Sequence, residues 1–129
     1  MIYVDTSAAV KRVFAEAGSE TVRSVLQDAA DAGEVMVSSF LLRVELTRFV
    51  RREALGLVWV ERGLSGFALA PVSEAVVDAA CAIERNIRSL DAVHLATAQI
   101  LNSSEDPVRI LTFDNAMRTA AEELGFALV

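Results

Sequence analysis

The chain has 129 residues, 53% of them hydrophobic, and a formal net charge of −6. That length suits one domain, residues 1–129, around one substantial apolar core, and the acidic balance excludes binding of nucleic acid through a uniformly basic surface. A single cysteine, Cys81, excludes an intrachain disulfide and a thiolate metal site, and no apolar run approaches the ~18 residues that span a bilayer.

Short apolar runs alternate with longer helical ones, the pattern of an α/β protein with a parallel sheet. Ile2-Tyr3-Val4 reads as a buried strand. Asp5 interrupts that stretch at once, so no secretory leader is expected, and the protein should be soluble and cytoplasmic. Ser7 to Glu16 reads as a helix ended near Gly18. Ser19 to Ala32 reads as a second, with Ser19 as N-cap and Gly33 as stop. Val35-Met36-Val37 is the second strand, and Ser39 caps a long helix running to about Leu55. A short helix over Leu57 to Gly66 leads into a third strand, Phe67 to Val72. Ser73 caps a helix ending near Asn86, and another helix spans Ser89 to Leu101. After the loop Asn102 to Pro107 come a strand, Arg109 to Thr112, a helix, Asn115 to Leu124, and a last strand, Phe126 to Val129. Every strand is separated from the next by at least one helix, which calls for parallel pairing.

Two side chains stand out. Cys81 lies in the apolar run Ala79 to Ile83 and reads as a small core residue. Trp59 lies in Leu57-Val58-Trp59-Val60, too apolar for free surface, and reads as core or interface. The apolar excess itself fits either a second buried surface or a core rich in Ala and Val.

Four acids occupy special places. Asp5 follows the first strand and Asp114 follows the strand ending at Thr112, where sites form in parallel sheets, outside the strands' carboxyl ends. Asp91 lies in the first turn of a helix. Glu45 lies within one, beside an apolar stripe of Leu42, Leu46 and Phe49, where a carboxylate is costly without a partner. Each also has a plain structural reading. Asp5 and Asp114 suit helix N-caps, Asp91 suits a helix dipole, and Glu45 can pair with Arg48 on the same helix face or with a base elsewhere. Taken together, four carboxylates in one cleft repel, by roughly 3 kcal/mol per pair at ~5 Å and an effective dielectric near 20. A shared proton relieves this, as does a hard divalent ion such as Mg²⁺ or Mn²⁺.

The segments Met1-Ile-Tyr-Val-Asp-Thr-Ser-Ala8, Arg43-Val-Glu-Leu-Thr47, Ser89-Leu-Asp-Ala-Val-His-Leu-Ala-Thr-Ala98 and Leu111-Thr-Phe-Asp-Asn115, followed by Ala120-Ala121 and Gly125, carry a resemblance across essentially the whole chain. In this order and spacing they resemble PIN-domain nucleases, most closely the VapC toxins of bacterial toxin–antitoxin pairs. The resemblance implies a three-layer α/β/α sandwich with a mostly parallel sheet of four to five strands. It implies a metal-dependent endoribonuclease that inhibits translation, with Asp5, Glu45, Asp91 and Asp114 as catalytic and metal-binding residues. Thr6, Ser7 and Thr112 fall on supporting polar positions. Asn115 stands where some members carry another acid, so a complete second metal site is not implied. The implied partners are a VapB-like antitoxin and a second copy of the chain. The implied products carry 5′-phosphate and 3′-hydroxyl ends.

The basic residues are eleven Arg and Lys11. Arg43, Arg48, Arg51 and Arg52 crowd one helix, and Lys11 and Arg12 another. They are candidate RNA contacts or solvated helix faces. His94, the one histidine, lies three residues after Asp91 on the same helical face. It reads as packing or as support for an acid, since metal-assisted hydrolysis needs no imidazole. A phosphoacceptor signalling domain needs a late Lys that this chain lacks, and haloacid-type phosphatases need Asp-x-Asp where it has Asp5-Thr6-Ser7. The serious alternative is a PIN-like module that binds RNA or protein without cutting.

Overall fold

A computed structural model describes all 129 residues. Five strands, β1 (Ile2–Val4), β2 (Met36–Ser39), β3 (Ala68–Ala70), β4 (Arg109–Leu111) and β5 (Ala127–Leu128), form one sheet in the order β3-β2-β1-β4-β5. All its pairings are parallel. Seven helices connect them: α1 (Thr6–Val13), α2 (Ser19–Asp31), α3 (Leu41–Arg52), α4 (Val58–Leu64), α5 (Glu74–Cys81), α6 (Ser89–Leu101) and α7 (Asn115–Glu123). The expected α/β/α sandwich is therefore present, with the sheet at the upper end of the expected strand count.

Strand β1 is central and buried along its whole length. Side chains alternate across a strand, so Ile2 and Val4 enter one core with Leu26 of α2, Leu42 and Leu46 of α3 and Val60 of α4. Tyr3 enters the opposite core with Leu95 of α6 and Met117 and Ala120 of α7. The chain leaves β1 towards β2 and β3 on one side, whereas β4 and β5 lie on the other. The carboxyl ends of β1 and β4 thus flank the point where the winding reverses, the place where an open α/β sheet leaves a crevice. Val4 is in register with Leu111, and Asp5 N–H donates to Leu111 O at 3.2 Å.

Several expected boundaries shift. The first helix stops at Val13 rather than Glu16, because Ser19 closes the turn: its hydroxyl donates to Phe14 O at 2.7 Å and accepts from Glu16 N–H at 2.8 Å. Ser19 is accordingly the first residue of α2 and not its N-cap; Gly18, at φ 88°, fills that position in a left-handed conformation that favours glycine. The fifth helix stops at Cys81, well short of Asn86, and the freed segment lays Ile83 and Ile87 against the second core. Cys81 is a correction: it is exposed. Helix α5 buries only Val76 of its own residues, so its last turn faces outward. Trp59 is half-buried on the first core, its ring 5.3 Å from that of Phe14, while Leu57 and Val58 beside it are exposed. No helix is long and apolar enough to cross a membrane.

Candidate active site

Asp5, Glu45, Asp91 and Asp114 all line one cleft of about 470 Å³, together with Thr6, Ser7, Lys11, Arg88, His94 and Phe113. Four elements deliver the acids: the end of β1, the second turn of α3, the first turn of α6 and the turn after β4. The plain readings hold as local structure for three of them, Asp91 lying in the first turn of α6 and the other two being caps. Asp5 caps α1 by accepting Ala8 N–H at 3.1 Å, and Asp114 caps α7 by accepting Met117 N–H at 3.0 Å. In both, capping occupies Oδ1 and leaves Oδ2 to other partners, so capping and membership of the cleft are compatible.

The polar residues near Asp5 hold it in a fixed pose. Ser7 Oγ donates to Oδ1 at 2.6 Å and Thr112 Oγ1 to Oδ2 at 2.7 Å. Ser7 also accepts Phe113 N–H, and Thr112 accepts Asp114 N–H. These bonds tie the β1 and β4 turns together. Burial pushes the Asp5 carboxyl above its ordinary range, and the donors from Ser7, Thr112 and Ala8 only partly oppose that. A positive charge at this carboxylate would remove the remaining penalty.

Glu45 does not pair with Arg48. Its Oε2 accepts from Thr6 Oγ1 and from His94 Nε2, the latter at 2.7 Å. His94 is 2% exposed, and its Nδ1 lies 2.8 Å from the hydroxyl of buried Tyr3. The Tyr3 hydroxyl at Nδ1 and the Glu45 carboxylate at Nε2 together fix the orientation of the ring. Partial burial pushes the Glu45 carboxyl up, but the donors from His94 and Thr6 outweigh it and hold the group below the ordinary range. The chain Tyr3–His94–Glu45–Thr6 crosses over the end of β1, from the α6 layer to α3 and α1.

Arg88 is the residue that sequence reasoning missed. It stands at the N-cap of α6 without making a side-chain cap bond. Its Nε donates to Asp91 Oδ2 at 2.8 Å, and its Nη2 donates to Asp91 Oδ1 at 3.3 Å and to Asp114 Oδ2 at 2.7 Å. The available signal was the spacing Arg88-Ser-Leu-Asp91, a three-residue separation that lets opposite charges meet at a helix start.

The chemistry of the donor set, carboxylate oxygens without sulfur, fits a hard divalent ion such as Mg²⁺ or Mn²⁺. As the side chains stand, no three of the acids converge tightly enough to hold such an ion among them. The guanidinium of Arg88 lies between Asp91 and Asp114 instead. Of the other expected residues, Asn115 opens α7 and does not line the cleft. Lys11 lines it, held by Glu16 and by Ala17 O. Arg12 sits over Phe67 between α1 and α4. Arg43 and Arg48 line a separate apolar groove with Phe40, Val44 and Val72. Arg51 and Arg52 end α3, with Arg52 stacked 5.3 Å over Phe49, whose ring lines the cleft.

The PIN domain family model matches residues 2–123. The chain belongs to the PIN-domain family. Among relatives of this PIN domain, Ribonuclease VapC35 of Mycobacterium tuberculosis is 36% identical, covering 100% of this chain and 96% of that protein. Ribonuclease VapC47 of the same species is 35% identical over 98% of this chain and 93% of its own. The chain lies within the VapC branch. Two solved structures share the PIN fold. A crystal structure of VapBC2 from Rickettsia felis, bound to a DNA fragment from their promoter, superposes with a TM-score of 0.73 at 14% identity, covering 100% of this chain and 98% of that one. Mycobacterium tuberculosis VapC20, a sarcin-ricin loop cleaving toxin, does so with a TM-score of 0.71 at 20% identity and the same coverage.

Proposed function

We propose that this PIN domain is an endoribonuclease, the toxin of a VapBC-type pair, and that residues 1–129 act as one nuclease domain in the cytoplasm to inhibit translation. The single observation that carries the hydrolytic reading is that Asp5, Glu45, Asp91 and Asp114 all line one cleft at the sheet's winding reversal. Whole-length similarity to proteins named as VapC ribonucleases supports RNA as substrate.

We assign the metal-holding role to the four acids. Asp5 would be the central ligand, because it is the most buried and the most rigidly held of them. Asp91 and Asp114 would hold the ion directly or through water, and Glu45 would ligate or accept a proton from the attacking water. A bound Mg²⁺ or Mn²⁺ would supply Lewis acidity at the phosphodiester and make water a stronger acid. The protein's own contribution is orientation. Ser7 and Thr112 fix Asp5, and His94 keeps Glu45 ionised with one oxygen turned aside. Lys11 offers the phosphate backbone a charge at the cleft wall.

Incubating a labelled structured RNA with the purified protein tests this reading. Cutting should require Mg²⁺ or Mn²⁺, stop on addition of EDTA, and leave 5′-phosphate and 3′-hydroxyl ends. RNA that binds but stays intact under both metals would favour the non-cutting module.

Arg51 and Arg52 lie outside the cleft lining, in the last turn of the helix that carries Glu45, and we assign them to RNA binding alone. Arg51→Ala combined with Arg52→Ala should raise KM severalfold and leave the thermal midpoint within ~2 °C, because exposed charges contribute little to stability. An unchanged KM removes them from the RNA path. By the same family reading, an antitoxin of VapB type covers the site, and a second copy of the chain pairs with the first. The apolar groove of Phe40, Val44 and Val72 supports a protein contact of this kind.

A further inference from the structure

Arg88 is the one guanidinium in the cleft, and it forks across two acids carried by different elements. Nothing in the fold requires it there. Its side chain is 71% exposed, makes no cap bond to α6 and packs into neither core. What holds it is charge, and the pull of Asp91 and Asp114 raises its already high basicity further. An arginine cannot leave such a site by losing its proton, so it leaves by rotating. The oxygens it occupies, Asp91 Oδ2 and Asp114 Oδ2, belong to the acids assigned above to a divalent ion. Ion and guanidinium therefore compete for the same lone pairs. A displaced Arg88 remains tethered at the cleft mouth with five donors in a fork that matches a phosphate. The other cation on the wall, Lys11, is already engaged by Glu16, Ala17 O and the face of Phe113.

We infer that Arg88 is a two-position residue: in the resting protein it neutralises Asp91 and Asp114, and when a divalent ion takes those acids it turns outward and holds an RNA phosphate at the cleft mouth. This rests on the metal-assisted reading given above. It makes the acid cluster stable before the ion arrives, and it couples ion binding to the appearance of a phosphate clamp.

The test is Arg88→Gln, with Arg88→Lys as the charge-retaining control. Mn²⁺ binding is read from the free-ion EPR signal in the absence of RNA, so no turnover is involved. KM for a labelled RNA is then measured over a range of salt. Arg88→Gln should bind Mn²⁺ about threefold to tenfold more tightly than wild type, yet its KM should rise about tenfold. Its KM should also depend less on salt, by about one phosphate contact on a logarithmic plot. Arg88→Lys should lie between the two proteins in both readouts. Equal or weaker Mn²⁺ binding by Arg88→Gln, with wild type still binding, overturns the resting contact and leaves the metal reading intact. An unchanged KM and salt slope overturns the phosphate contact. No Mn²⁺ binding by either protein removes the metal reading, and this inference with it.

Discussion

Asp5→Asn should abolish RNA cleavage, by roughly 10³-fold, while leaving the chain folded. A loss of that size is the scale seen when one preorganised electrostatic group is removed from a site. The fold survives because asparagine can do the structural half of the aspartate's work. One amide oxygen still accepts Ala8 N–H, and Asn caps helices as well as Asp. Thr112 Oγ1, which now donates to Asp5 Oδ2, can turn to accept from the new amide, since a hydroxyl has two lone pairs. The charge is lost and the Thr112 O–H must turn to Ser7 Oγ, 3.4 Å away, but burial already works against that charge in the absence of a counter-ion. Melting in metal-free buffer should therefore occur at or above the wild-type temperature. Labelled RNA incubated with Mn²⁺, alongside a circular-dichroism melt, reads both quantities. A folded variant that cuts at the wild-type rate would place the chemistry elsewhere. A variant that unfolds would show that the Asp5 carboxylate itself, and not its cap bond, is needed to hold the fold.

The largest stability effect is expected at His94. His94→Ala should cost about 3 kcal/mol, the range for emptying a large buried site while orphaning polar partners. For a chain of this size that lowers the thermal midpoint by roughly 10 °C. Three losses combine. The ring leaves a void between α6 and β1, the Tyr3 hydroxyl loses its partner at 2.8 Å, and Glu45 loses a donor at 2.7 Å. Cleavage measured well below the midpoint should fall about 10–100-fold rather than to background, the usual result of removing a group that orients a ligand. His94→Gln distinguishes orientation from bulk packing. Its amide can still donate towards Glu45, so activity should recover more than stability does. Equal loss of both in the glutamine variant would make His94 a packing residue only. Complete loss of cleavage in a folded His94→Ala would give the imidazole a direct part in the reaction.

The helix-lined parallel sheet was legible because its signals are local. Apolar runs of strand length at Ile2–Val4 and Arg109–Leu111, glycine stops such as Gly125, and cap residues such as Ser73 act over a few residues. The acids were legible for a related reason. A residue directly after a buried parallel strand is carried to the sheet's edge whatever else the chain does, and this places Asp5 and Asp114 without any tertiary detail. Errors fell where a competing contact ended an element. No sequence signal announces that the hydroxyl of Ser19 closes the first helix, or that α5 gives up its last turn and leaves Cys81 in the open.

The partners of each acid belong to the tertiary structure. Sequence spacing could name only Arg48 for Glu45 and left a base elsewhere open, because helical neighbours are the ones a sequence can display. The bond actually formed is to His94, forty-nine positions away. Tyr3 carried a faint hint, since a buried phenol in an aliphatic strand needs an acceptor, but which acceptor depends on where α6 lands. Arg88 likewise reaches Asp114 across twenty-six positions.

The amino-acid sequence alone determined which elements form, their parallel arrangement, and the placing of two carboxylates at the carboxyl edge of the sheet, because propensity, capping and strand periodicity act between near neighbours. Tertiary packing decided that all four acids face one cleft, that Tyr3, His94 and Glu45 bond across the end of β1, and that Arg88 bridges Asp91 and Asp114. Hydrogen bonds and ion pairs depend on separations of a few ångströms, and between distant segments those separations are set only when the layers dock.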